Sequence, residues 1–201
     1  MLQQSGKFGW LWGFMLAGSA AIGAARASEV DLSTIAATWP AVFDMQGSKI
    51  EPTWVEYVRL RRDGDRFVLE GGGLHGGEQS VETVEVDAKG AIRHLVCPKA
   101  MDCSETRPFS GFLASAQFLA AHRAGRLSGR AAVERYGERD LFCLPGEQLG
   151  IAEPILDPCF DVATGAMLAQ RMRTDGSFSG PTLDPATIRF VEPNHQPKDK
   201  N

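Results

Sequence analysis

The chain has no run of basic residues: 21 Lys and Arg, scattered, stand against 25 Asp and Glu. An acidic chain without a basic stripe gives phosphate backbones little to hold, so nucleic acid is not an expected partner. C-x-x-C is absent, and with it the dithiol motif of redox catalysts. No G-x-S-x-G nucleophile elbow, glycine-rich phosphate loop or haem attachment sequence occurs. The four histidines, His75, His94, His122 and His195, lack ligand spacing such as H-x-x-x-H. Carboxylates are plentiful but dispersed, so no acid/base pair can be chosen. No apolar run after residue 27 is long enough to span a bilayer. Neither an internal repeat nor a domain linker is visible. These patterns predict no catalytic residue, no metal ligand and no cofactor.

What is present begins with an export signal. Lys7 is the sole charge ahead of an apolar stretch from Phe8 to about Ala25, and Ala25-Arg26-Ala27 puts small residues at −3 and −1 of a cleavage point before Ser28. Glycines 9, 13, 18 and 23 thin the stretch, and no stop-transfer cluster follows, which argues against a retained anchor. The pattern predicts a signal peptide over 1–27, one β-rich domain over 28–192 and a loose polar tail over 193–201. The n-region has no twin arginine and no cysteine follows the apolar stretch, which favours the general secretory route without a lipid anchor. The expected location is periplasmic or secreted, with membrane contact only through the signal peptide before cleavage. Cleavage removes Lys7 and Arg26 and no acid, which takes the formal charge from −4 to −6.

Four cysteines remain: Cys97, Cys103, Cys143 and Cys159. An even count in an exported chain reads as two disulfides, and local spacing favours Cys97–Cys103 and Cys143–Cys159. A metal site is the alternative, with His94 three residues ahead of Cys97, but neither pair has the two-residue gap of zinc knuckles.

Asp31 and Ser33 suit the cap of a short helix through Leu32, Ile35, Ala36 and Trp39, which Pro40 breaks or restarts near Val42 and Phe43. Residues 54–60 and 66–70 read as strands about an Arg62-Asp63-Gly64-Asp65 turn, and residues 80–87 and 91–97 as a second hairpin. Residues 111–127 place Leu113, Ala116, Ala120, Ala124 and Leu127 at helical spacing, with Gln117 and His122 on the polar side and Ser128-Gly129 as the stop. His94 reads as a partly exposed strand residue. Strands resume at 131–136, 140–144, 159–162, 166–173 and 187–192. The fold class expected is α+β: a curved, mostly antiparallel sheet, an open half-barrel, covered by one or two helices. Its concave apolar face is either a filled core or a ligand cavity.

Gly71-Gly72-Gly73-Leu74-His75-Gly76-Gly77 invites a hydrolase reading, because His-Gly-Gly stretches form the oxyanion loop of some lipases and esterases. Without a nucleophile elbow, a flexible loop between strands is the simpler account.

One succession of segments resembles a known family. Tyr136-Gly137-Glu138-Arg139-Asp140-Leu141-Phe142-Cys143 leads to Cys159-Phe160-Asp161-Val162-Ala163-Thr164-Gly165-Ala166-Met167-Leu168, then to residues 171–176 and Thr187-Ile188-Arg189-Phe190. It is similar to the late strands of the outer-membrane lipoprotein carrier (LolA-like) and sigma-factor regulator (RseB-like) superfamily. There a strand passes through a D-x-x-T-G turn into the next strand. The resemblance implies an incomplete barrel with helical cover whose hollow receives acyl chains or an extended partner segment. It carries over no functional residue, and the cysteine pairs and the segment 144–158 depart from the carriers. The expected function is therefore an exported, non-enzymatic binding or chaperone-like module whose concave face takes a lipid acyl chain or another envelope protein. The alternatives are a secreted hydrolase around residues 71–77 and a structural envelope protein without a small-molecule ligand.

Overall fold

The structure is a computed structural model, and it describes residues 28–50, 55–73, 79–97, 111–151 and 156–191. The expected signal peptide, the tail, His75, His195 and Cys103 lie outside the described residues, and so does the Cys97–Cys103 pairing.

Eleven strands form among the described residues: β1 (Glu29–Asp31), β2 (Val42–Ile50), β3 (Val55–Asp63), β4 (Arg66–Gly73), β5 (Ser80–Val86), β6 (Ile92–Val96), β7 (Arg130–Tyr136), β8 (Arg139–Cys143), β9 (Leu156–Asp161), β10 (Met167–Met172) and β11 (Arg189–Phe190). Every pairing is antiparallel. The strands divide between two sheets, of order β11-β2-β3-β4-β5-β6 and β1-β7-β8-β9-β10, and neither closes on itself. The expected single curved sheet is thus corrected to two, and with one α-helix, α1 (Ala114–Arg123), among the described residues the fold is mainly β.

Local chemistry sets the hairpins. Gly64-Asp65 joins β3 to β4 and Gly137-Glu138 joins β7 to β8, each a two-residue turn with glycine at positive φ first. The β9–β10 connection is the Asp161-to-Thr164 turn. Its Gly165 has φ 74°, and a Cβ there would sit 2.3 Å from the Trp39 ring, so only glycine fits.

β2 corrects the expected helix restart at Val42 and Phe43. Phe43, Met45 and Gly47 alternate inward while Asp44 and Gln46 face outward, a strand period of two. The expected helix before it is reduced to a 3-10 helix at Ile35–Thr38; Asp31 Oδ1 instead accepts from the Ser33 amide at 2.9 Å.

α1 lies between the sheets. Ala116, Leu119 and Ala120 join Met45, Leu60, Phe67, Val84, Leu141 and Leu168 in one cluster. Ala114, Phe118 and Ala121 join Trp39, Phe142, Phe160 and Met167 in the other. A helix clamped on two sides has little polar face, and Gln117, expected in water, is buried. α1 also ends earlier than Ser128-Gly129. Gly125, at φ 65°, donates to the His122 carbonyl, and the Arg126 amide donates to that of Ala121, the Schellman closure.

The sheet edges are mostly protected. β1 and β11 are two- or three-residue strips laid over β7 and β2. Residues 177–183 run beside β10, where the Ser179 amide donates to Gln170 at 2.9 Å and the Leu183 amide to Leu168 at 2.9 Å. Among the described residues, β6 borders no strand on its outer side.

Cys143 and Cys159 stand directly opposite each other on β8 and β9 and are joined by a disulfide with Cα atoms 4.0 Å apart. That bridge is the expected one, and it is compatible with an oxidising, extracellular compartment. No described helix is long and apolar enough to cross a membrane.

Candidate functional site

The inner face of the six-stranded sheet, the expected hollow, is filled. Phe43, Met45, Val58, Leu60, Phe67, Val84 and Val86 are all buried beneath α1, Phe112, Leu113 and the second sheet. The open spaces lie elsewhere, where the chain returns from β10 to β11.

That return ties the sheets together. After running beside β10 it crosses to β2, where the Asp184 amide donates to Ser48 at 2.9 Å and the Val191 amide to Asp44 at 2.8 Å. Leu183 is driven into the core at the crossing. Gly47 of β2 makes the room, since a Cβ there would come 2.8 Å from Leu183 Cδ1. The Tyr136 hydroxyl donates to the Leu183 carbonyl, and burial pushes its pKa up to about 12, so it stays a donor.

A pocket opens on each side of Pro185. The smaller, of about 440 Å³, is walled by Tyr136, Phe178, Gly180, Thr182 and Asp184. The larger, of about 670 Å³, is walled by Gly137, Glu138, Arg139, Pro185, Ile188, Arg189 and Phe190. Together they form a cleft in which aromatic, aliphatic, charged and backbone groups are mixed. Arg139 enters from the β7–β8 turn with its guanidinium 4.2 Å above the Phe190 ring. Its Nη1 is 3.7 Å from Asp161 Oδ1. Asp161 is buried, which raises its pKa, while a 2.6 Å hydrogen bond from the Thr164 hydroxyl and the charge of Arg139 oppose the shift. These groups can bind, but no nucleophile–base pair lies among them.

Two further clusters among the described residues set a carboxylate beside a histidine or beside sulfur. Glu82 and His94 face the core side at the β5–β6 end of the six-stranded sheet, with His94 Nδ1 3.6 Å from Glu82 Oε1. Burial raises the Glu82 pKa and lowers that of His94, so both lean toward neutrality. His94 is the partly exposed strand residue expected, and its side chain lies on the inner face. The second cluster is Glu134, Cys143 and Cys159, whose ligand atoms lie within 4.8 Å of one another. Because the sulfurs are bonded to each other, the trio offers a cation one carboxylate, and Arg171 already pairs with it at 3.1 Å.

Of the residues singled out from the sequence, Cys143 and Cys159 meet, as expected. Gly71, Gly72 and Gly73 extend β4, paired with Val58, Tyr57 and Glu56; the rest of that segment, with His75, lies outside the described residues. His122 lies on α1, its Nε2–H donating to the Ser33 carbonyl at 3.0 Å. The sequence does not mark Arg139, Phe190 and Pro185 as a site, because they come together only through the chain's return. The aromatic and arginine at the end of the last predicted strand were the available signal.

The chain matches no family model, and neither a curated protein nor a solved structure is similar to it.

Proposed function

We propose that the protein is an exported, non-enzymatic binding module that holds an extended segment of a partner protein in the cleft around Pro185. The carrying observation is the mixed lining of two adjoining pockets on the return from β10 to β11. A peptide brings alternating side chains and a hydrogen-bonding backbone, which such a lining suits. An acyl chain needs an enclosed apolar hollow, and the sheet face that could have supplied one is occupied by the protein's own side chains. In this reading the half-barrel architecture and the LolA-like likeness contribute a scaffold, two open sheets holding α1 between them, rather than a lipid cavity. The Cys143–Cys159 bridge and the N-terminal export pattern support work outside the cytoplasm.

The test is recovery of the mature protein from its native compartment, followed by native mass spectrometry and cross-linking from a photoreactive group placed at Ala186. Peptide or protein adducts mapping to residues 178–190 are expected. Stoichiometric phospholipid with no such adducts would overturn the reading in favour of a lipid carrier.

A further inference from the structure

The geometry points to the larger pocket as an anion anchor, in which Arg139 receives a carboxylate of the bound peptide segment. This deepens the binding reading above and rests on it.

Among the described residues the other partly buried arginines each hold a hydrogen-bonded partner, Arg61 through Glu70 although its Nε is unpaired. Arg59 donates to Asp44, Arg62 to the carbonyls of Gly64 and Pro40, Arg123 to Asp65 and Val86, Arg171 to Glu134, and Arg173 to Asp157 and Glu147. Arg139 is about one-third exposed, and its partners are an ion pair to Asp161 at 3.7 Å and the ring of Phe190. At 3.7 Å the pair is too long to be a hydrogen bond, so a five-donor guanidinium has its charge balanced and its donors unspent. The Phe190 ring covers one side of the group, and its unspent N–H donors match a carboxylate with two parallel N–H···O bonds. Asp161, fixed by Thr164, keeps the arginine in place from below.

The surroundings fit the same ligand. With Arg139 balanced by Asp161, Arg189 adds a second positive group to the wall opposite the carboxylate of Glu138. Arg189 uses Nη1 for the neighbouring Ile188 carbonyl at 2.8 Å and stays at the rim. Pro185, Ala186 and Ile188 give the apolar wall that a side chain next to the carboxylate would cover. Arg139 is thus the specificity-determining residue of the cleft, and the bound segment presents its C-terminal carboxylate there.

The experiment is a pair of NMR titrations of the intact mature protein. One uses the acetylated pentapeptide Val-Ala-Val-Ala-Phe with a free C-terminal carboxylate, and the other uses its C-terminal amide. The acid should shift the resonances of residues 136–139 and 185–190 and bind at least tenfold tighter than the amide. Arg139→Gln should erase that ratio and Arg139→Lys should keep part of it. Acid and amide binding equally at the cleft would overturn the anchor while leaving the cleft reading standing. No shift at those residues with either peptide would overturn both. Inorganic phosphate displacing the acid at equal concentration would show a general anion site and overturn carboxylate selectivity.

Discussion

Replacing Cys143 and Cys159 together by alanine removes a cross-link between residues 16 positions apart on neighbouring strands. In the folded protein those residues are already paired across β8 and β9, so the bridge adds little order there. Its main effect is on the unfolded chain, where the closed loop has less freedom. The chain-entropy relation for a loop of this size gives about 3 kcal/mol. With a urea m-value of about 2 kcal/mol/M, the midpoint should fall by about 1.5 M with m little changed. Cys159 is fully buried, so its truncation adds a small packing loss. Reducing the wild-type protein and the double variant alike with a dithiol separates the two effects, because the bridge at Cys97 opens in both while only the wild type keeps the two sulfurs of the β8–β9 pair. Urea unfolding followed by tryptophan fluorescence reads every form. A midpoint shift on reduction that exceeds the variant's own by less than about 0.5 M would refute the entropic account. A Cys97–Cys143 peptide in a non-reducing map would refute the pairing itself.

Phe118→Ala should cost about 3–5 kcal/mol, because the ring is fully buried and lies 4.7 Å from Trp39, 5.1 Å from Phe160 and 5.7 Å from Phe142. Phe178→Ala, at a ring 37% exposed, should cost less than half as much in the same urea assay, and equal losses would mean that α1 is not the centre of the fold. The third prediction concerns pH. Burial raises the Glu82 pKa above its ordinary 4.5, so the folded state holds a proton that the unfolded chain has already released. Stability from this group is full below pH 4.5 and is lost as pH rises through the folded value. Glu82→Gln should therefore match wild type near pH 4 and exceed it at pH 7 in thermal unfolding. A difference independent of pH would refute the buried-carboxyl assignment.

The hairpins were legible because their signals are local. Val84 and Val86 on one face of β5 and the glycines at the turns specify the pairing from neighbouring residues alone. β2 was hidden for a tertiary reason. Its third inward position is Gly47, where the side chain that would complete the pattern comes from Leu183, 136 positions later. α1 was legible as a helix but not in its surroundings: periodicity shows which residues are apolar, not that a second sheet buries Gln117 as well. The Cys143–Cys159 bridge was readable from spacing because the two strands are sequence neighbours. The cleft was not, because Arg139 and Phe190 stand 51 positions apart and meet only where the return crosses between the sheets.

The treatment of the sheet edges limits how copies of this protein could add to one another. Growth by strand pairing needs two free borders on each molecule, one to receive and one to offer. Among the described residues, three of the four sheet borders are short strips or lie under the chain's own return, and β6 alone is a full-length strand bordering no other described strand. A molecule with at most one such border has a valency of one. Pairing through β6 ends at two copies, because the described residues offer no second full-length edge on which a stack of folded molecules continues.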